Sequence, residues 1–198
     1  MQRRAVVMAP QVDGNVKESS LGSATPVHPA GYLLTAAHVL DGADRTRIRV
    51  MLDPKSGIPK RLLDARVVMY DREADVALLK TSVPLPHVFQ WSPQNALLPA
   101  GLPVVHTGLA TGHKSGLGTL TEPSDSKPGK FCHTLHLAPG DSGGALVSLG
   151  GEALGINHAV GRIQTFGASF FSGSYSVRPD LRRIERAIAS DIKTHSKP

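Results

Sequence analysis

Three short stretches hold residue types that could together cleave an acyl bond. "LHLAPGDSGGALV", residues 135–147, sets Ser142 beside Asp141 and among Gly140, Gly143 and Gly144, just ahead of an apolar run. "LLTAAHVLDGAD" places His38 at the end of an apolar strand-like run, on a short Ala-rich turn expected to be helical. "DREADVALLK" places Asp75 at the entry of a run that reads as a buried strand. A serine hydroxyl is a poor nucleophile until a neighbouring imidazole takes its proton. A carboxylate must hold that imidazole in one tautomer and stabilise the imidazolium that forms. The tetrahedral oxyanion then needs backbone N–H donors. Gly140, with no side chain in the way, can bare its N–H beside that of Ser142. Losing one such donor costs about 2.7–4 kcal/mol of barrier. That cost is a reason for a glycine-rich loop which a plain turn would not have.

Each residue has a rival. Asp71 lies four positions before Asp75, but it precedes Arg72-Glu73 in what reads as a solvated turn, so Asp75 is the expected acid. His28, His106, His113, His133 and His136 sit in no such motif and read as surface or satisfied core histidines. Their spacing matches no zinc site, and no metal or cofactor is expected. Cys132, the one cysteine, sits in "KFCHTLHL" and reads as a small buried hydrophobe.

The elements that must bring these residues together are mostly strands. "RAVVM", "GSATPV", "GYLLTA", "RIRVML", "ARVVMY" and "DVALLK" are short apolar runs bounded by Gly, Pro, Asp or Asn. Residues 82–103 follow with five prolines, which argue against ladder pairing and for an extended connector. A second set follows: "PVVHTGL", "SGLGTL", "FCHTLHL", "GALVSL", "EALGINHAV" and "SFFSGSYSV", with Gly150-Gly151 marking a hairpin. The last segment changes period. "RPDLRRIERAIASDIKTH" places Leu181, Ile184, Ala187, Ile188 and Ile192 at helical spacing behind Pro179 and Asp180. The expected division is residues 1–90 carrying His and Asp, residues 91–178 carrying Ser, and a terminal helix over 179–198.

Composition sets the frame. At 198 residues the chain can bury about 70% of its unfolded surface without staples. A single cysteine rules out an intrachain disulfide, which suits a cytoplasmic or periplasmic setting better than a disulfide-dependent secreted one. The formal net charge is +6, but the longest basic runs are "QRR" and "LRR" and aromatics make up only 5%, so no stacking platform for nucleic acid is evident. No 18-residue apolar stretch exists to span a membrane, and the first twenty residues lack a signal-type apolar core.

Taken in order, "TAAHV", "ADVALLK" and "GDSGGALV" resemble the chymotrypsin-fold serine proteases of the trypsin superfamily. The sequence separations are 37 (75−38) and 67 (142−75) residues. The resemblance runs from about residue 22 to 190, and "GDSGGALVSLGGEALGIN" with "SYSVRPDLRRIERAI" is most similar to the HtrA/Deg branch and its disulfide-free bacterial relatives. It implies an all-β fold of two perpendicular six-stranded β-barrels with the site in the cleft between them. It also implies His38 as general base, Asp75 as orienting acid, Ser142 as nucleophile, and the N–H groups of Gly140 and Ser142 as the oxyanion hole. The substrate would be a polypeptide. The alternatives are a protease-fold module that binds peptide without turning it over, and a nucleic-acid-associated role for the basic surface.

The same resemblance points to a primary specificity pocket lined by His136, six residues before the serine, and by strand residues Asn157, His158 and Ala159. A one-residue register choice decides which side chains face it. Register by "GIN" gives a pocket for small aliphatic side chains, the preferred reading. Register by "HAVG" turns His158 toward the pocket and favours Glu or Gln. Two departures stand out. The chain has "RRAVVM" near its start in place of the Ile-Val-Gly-Gly amino terminus of digestive relatives, so Asp141 needs another partner. The peptide-binding PDZ module usual in the HtrA branch is not expected as part of this chain.

Overall fold

Short runs of Val, Leu, Ile and Ala punctuated by Gly, Pro and Asp become strands, and the change of period after Pro179 becomes a helix. The computed structural model of the chain describes residues 5–10, 19–52, 62–112, 114–125, 129–165 and 168–195. The first six strands are β1 (Ala5–Pro10), β2 (Ser19–His28), β3 (Tyr32–Thr35), β4 (Arg49–Leu52), β5 (Leu62–Asp71) and β6 (Val76–Thr81). They pair antiparallel in the order β1-β2-β3-β6-β5-β4 and close into a barrel. Closure leaves no open edge. Val7, Leu33, Val50, Leu63 and Leu79 fill the inside with one apolar cluster.

β3 is buried on both faces, and this places the helix. Leu33 points into the barrel, while Tyr32 and Leu34 point outward into a second cluster with Val76, Leu78, Ile156, Ile184 and Ile188. The last two belong to α1 (Leu181–His195), so the helix roofs the outer face of the first barrel. Asp180 Oδ1 caps it by accepting the Arg183 N–H at 3.0 Å. Polar anchors finish the contact: Tyr32 Oη donates to Asp191 Oδ2 at 2.7 Å, and Arg66 donates to both oxygens of the same carboxylate. The apolar stripe is shorter than its spacing predicts. Ile184 and Ile188 are buried and Ala187 packs against the cluster, whereas Leu181 is half-buried and Ile192 is exposed at the far end.

The second six strands are β7 (Pro103–His106), β8 (Gly118–Thr119), β9 (Lys130–His133), β10 (Ala145–Ser148), β11 (Ala153–Thr165) and β12 (Ala168–Val177). They form a sheet in the order β8-β7-β10-β11-β12-β9. An antiparallel bridge between Leu120 and His133 draws its two ends together, so this sheet is barrel-like too. The chain is thus mostly β, with two barrel-like sheets and a C-terminal helix. The Gly150-Gly151 hairpin forms as its sequence predicts: Gly151 takes φ 88° and its N–H donates to the Ser148 carbonyl at 3.0 Å. The proline-rich connector is not wholly unpaired. Trp91 makes one parallel bridge to Ala153, flanked by Ser92 N–H to Ala153 O and Ala153 N–H to Gln90 O. Cys132 also differs from expectation. β9 alternates, so Phe131 and His133 point inward and Cys132 is only partly buried. Among the described residues no helix is long and apolar enough to cross a membrane.

Candidate active site

The site is assembled from three elements that the two sheets bring together. Past the end of β3, Ala37–Leu40 forms a single 3₁₀ turn carrying His38. The β5–β6 turn carries Asp75, the one described non-glycine residue with positive φ, at 51°. That left-handed conformation is uncommon for a side chain and recurs at functional sites. The turn is built by the rival acid: Asp71 Oδ1 accepts the Ala74 N–H at 2.9 Å, and its carboxyl is held below the usual carboxylate range chiefly by this bond. Asp71 is therefore a turn-former, and Asp75 is what the turn presents.

Asp75 is buried and grips the 3₁₀ turn at both ends of its carboxylate. Oδ1 accepts the His38 backbone N–H at 2.8 Å, and Oδ2 lies 2.8 Å from His38 Nδ1. The Asp75 carbonyl accepts the Ala37 N–H at 3.2 Å. Burial pushes the Asp75 carboxyl up, but hydrogen bonds from the His158 and His38 rings and from the His38 N–H outweigh it and hold the group well below the usual range. The acid is thus ionised and fixes Nδ1 of His38 as a donor. Nε2, the acceptor, lies 2.9 Å from Ser142 Oγ. The three groups form one hydrogen-bonded line, Asp75–His38–Ser142.

The serine loop is held from both sides. From β2 of the first barrel, the Ser23 N–H donates to the Ser142 carbonyl at 2.7 Å, Ser23 Oγ donates to the Gly140 carbonyl at 2.7 Å, and Thr25 Oγ1 donates to the Gly143 carbonyl at 2.9 Å. Gly143, at φ 90°, sits so close to β2 that a Cβ there would collide with the Ser23 carbonyl and the Thr35 hydroxyl. From the second sheet, the Asn157 carbonyl accepts the Gly143 N–H at 2.9 Å, and the Asn157 N–H donates to the Gly144 carbonyl at 2.7 Å.

Asp141 has the partner its sequence context demands. Its buried carboxylate accepts the N–H groups of Ala110, Thr111 and Ala138 at 2.8, 3.0 and 2.8 Å, and the Thr111 hydroxyl at 2.5 Å. Gly108 must be a glycine because a Cβ would collide with this carboxylate. With the rest of the loop pinned in this way, the N–H groups of Gly140 (φ 102°) and Ser142 bond to no group among the described residues. They are two bare donors in the loop that carries the half-buried Ser142.

The remaining predicted residues fall in different places. His136 is exposed, and its carbonyl accepts the Thr111 hydroxyl at 2.9 Å. Asn157 has no exposed surface: its amide donates toward His106 Nδ1 at 3.1 Å and to the Asp141 carbonyl at 3.3 Å, and its oxygen accepts the Ser176 hydroxyl at 3.1 Å. It braces the loop from behind. His158 turns its ring to Asp75 rather than away from it, and Nδ1 bonds Oδ2 directly. Its carbonyl lies 3.2 Å from Ser142 Oγ, within reach of that hydroxyl. Ala159 pairs with Tyr175 across β11 and β12, and its side chain lies outside the described residues, as does His113. His106 and His133 are core histidines, but Nδ1 of His133 finds no partner among the described residues, so it is not fully satisfied. His38, Asp75 and His158 bring three metal-type donor atoms within 4.8 Å. One carboxylate serving two N–H donors produces the same clustering.

Sequence reasoning missed Ser23, Thr25 and Thr111. A signal existed for the first two: hydroxyl residues at alternate positions of a strand whose neighbours are buried. Such groups must bond something inside.

The chain is similar to known proteins in sequence and in fold. A family model described as "Trypsin-like peptidase domain" matches residues 22–156, and the chain belongs to that family. It is 31% identical over 196 residues to a protein of Pseudomonas fulva (strain 12-X) named "Probable periplasmic serine endoprotease DegP-like", covering 96% of this chain and 38% of that protein. A protein of the same name from Pseudomonas fluorescens is 30% identical over 197 residues, again with 96% and 38% covered. The chain thus spans well under half the length of these curated relatives. Among solved structures it is similar to "HtrA-type protease AlgW with tripeptide", with a TM-score of 0.73, 26% identity, and 96% of this chain and 61% of that chain covered.

Proposed function

We propose that this chain is a serine endopeptidase acting through a covalent acyl-enzyme. The observation that carries the reading is the unbroken line Asp75–His38–Ser142 ending beside two unused backbone N–H groups. In the first step Ser142 Oγ attacks the scissile carbonyl carbon while its proton passes to His38 Nε2. The carbonyl oxygen becomes an oxyanion between the N–H groups of Gly140 and Ser142, donors already in place before charge develops. Asp75 stabilises the imidazolium without taking its proton. His38 then gives the proton to the leaving amine, the C–N bond breaks, and the acyl group stays on Ser142. Water repeats the sequence with His38 as base and releases the acid.

The division into a His- and Asp-bearing part (1–90), a Ser-bearing part (91–178) and a helix (179–198) follows the same reading. The preferred primary pocket is one for small aliphatic side chains. The inward-braced Asn157 supports it, since its amide is committed to His106, Asp141 and Ser176, and the His158 ring is turned to Asp75. A polypeptide substrate fits the tripeptide that accompanies the AlgW protease in its solved structure, and the relatives' names support a periplasmic site of action. The test is cleavage of a peptide library by the wild type and by Ser142→Ala. Cleavage after small aliphatic residues by the wild type alone is expected; equal cleavage by both proteins contradicts the proposal.

A further inference from the structure

The triad accounts for one histidine on Asp75, but the carboxylate carries two. His158, on β11, points Nδ1 at the same Oδ2 that receives His38 Nδ1. The two rings meet edge to face with centroids 5.2 Å apart, and the His158 ring packs on Tyr175 of β12 at 4.7 Å. Resting on the triad reading above, we propose that His158 is a positioning residue for the reaction: its Nδ1–H shares Oδ2 of Asp75 with His38, fixes the carboxylate's orientation, and makes activity depend on the protonation of two histidines.

The chemistry follows from who can donate. Asp75 is an acceptor only, so both Nδ1 atoms carry hydrogen and both Nε2 atoms of the neutral rings are lone pairs. His38 uses its lone pair on Ser142. A carboxylate on a strained turn, with Oδ1 tied to the His38 N–H, could still rock about its last torsion. A second donor on Oδ2, braced by an aromatic ring, closes that freedom. The arrangement also has a cost. If His158 takes a proton at Nε2, a cation sits against the charge that must stabilise the imidazolium of His38, and a second positive charge faces that imidazolium. Catalysis therefore requires both rings neutral at the start.

The groups facing His158 among the described residues are few. Asp75 comes from the β5–β6 turn, His38 from the 3₁₀ turn and Tyr175 from β12. Lys130 Nζ of β9 lies 5.2 Å from the Tyr175 ring, and the partly buried Cys132 adjoins that ring's charge environment. Burial, with Asp75 and Cys132 nearby, pushes the Tyr175 phenol up, so it stays neutral while histidines titrate. Among these groups the one other imidazole is that of His38.

Asn is the informative replacement, because its amide can stand where Nδ1–H stood yet cannot take up a proton. With a peptide substrate, His158→Ala is expected to lower kcat about tenfold, the worth of one hydrogen bond to a charged group, with KM within about twofold. His158→Asn should restore most of kcat. The acid limb of kcat/KM should be steeper than one proton in the wild type and fall to one proton in His158→Asn. A readout independent of turnover is the proton NMR spectrum in a Ser142→Ala background. Two far-downfield imidazole N–H resonances are expected, and one after His158→Ala is added. The inference is overturned if kcat, limb steepness and downfield resonances are all unchanged by loss of His158. If that happens while cleavage still depends on Ser142, the triad reading survives alone; if the wild type shows no Ser142-dependent cleavage, both fall together.

Discussion

The two sheets solve the same problem with opposite interiors. Inside the first barrel the cluster around Leu33, Val50 and Leu79 is joined, among the described residues, only by buried threonines, Thr35 and Thr81, whose hydroxyls donate to backbone carbonyls. Inside the second sheet, small apolar clusters around Leu146 and Ala145 share space with a buried polar chain. Thr111 Oγ1 lies 3.3 Å from His106 Nε2, His106 Nδ1 meets Asn157, Asn157 meets Ser176, and Ser176 Oγ lies 3.0 Å from His133 Nε2. The cluster inside the first barrel needs only to be stiff, because His38 and Asp75 ride on turns at its end and hold each other, and the bonds this barrel lends the serine loop come from Ser23 and Thr25 of β2. The second must hold a glycine-rich loop in a conformation glycine alone would not keep. Only directional bonds can do that, so polar groups go inside and need partners there. An apolar interior gives rigidity; a polar one gives a specified backbone.

That contrast can be broken most severely at Asp141. Asp141→Ala leaves three N–H groups without an acceptor in a buried site, at about 1–3 kcal/mol each before relaxation. Urea unfolding should show a loss of about 3 kcal/mol or more. With the hole no longer held, kcat should fall at least the roughly 10²–10³-fold expected for one oxyanion donor. Leu33→Ala in the first barrel should cost comparable stability, about 2–5 kcal/mol, by opening a cavity, yet leave kcat near the wild-type value at temperatures where the protein stays folded. If Leu33→Ala lost activity as Asp141→Ala does, the division of labour between the sheets would be wrong.

The polar interior also predicts an acid sensitivity. Burial first, with His106 second, pulls the His133 imidazole down to about 4, below the ordinary histidine value of about 6.5. The unfolded chain then binds a proton that the folded chain refuses. Stability is fully present above about pH 6.5 and is lost as pH falls toward 4, by about 3 kcal/mol at most. Unfolding midpoints at pH 7 and 4.5 should differ more in the wild type than in His133→Leu. The smallest effect is expected at the helix anchor. Asp191→Ala removes the acceptor of Tyr32 and Arg66, and with Arg66 partly exposed the loss should be about 1–2 kcal/mol, read by calorimetry, with kcat unchanged.

The same contrast explains what could be read from the chain. Strands of the apolar barrel announce themselves, because Val, Leu and Ile in short bounded runs have little else to do. β6 begins within one residue of its run, and the 3₁₀ turn carries His38 as its Ala-rich context suggests. The residues proposed to react could be picked out because such chemistry restricts residue types, and the structure brings the three side chains into one hydrogen-bonded line. Their supports were not. Ser23 reaches Gly140 across 117 positions, and Thr111 reaches Asp141 across 30, from sequences with no motif of their own. β11 runs to Thr165, past the point where its apolar run fades, because cross-strand pairing with β12 carries it on. The side chain of His158 could not be aimed from sequence, since a single step in register turns it to the other face of the sheet.

The central claim is that His38 activates Ser142, and covalent labelling tests it with least interpretation. Intact-mass measurement after brief exposure to a fluorophosphonate should show one adduct per wild-type chain, located at Ser142. The adduct should form far more slowly in His38→Ala, although its serine is untouched. An equal labelling rate in the two proteins, or no adduct on the folded wild type, would contradict the account.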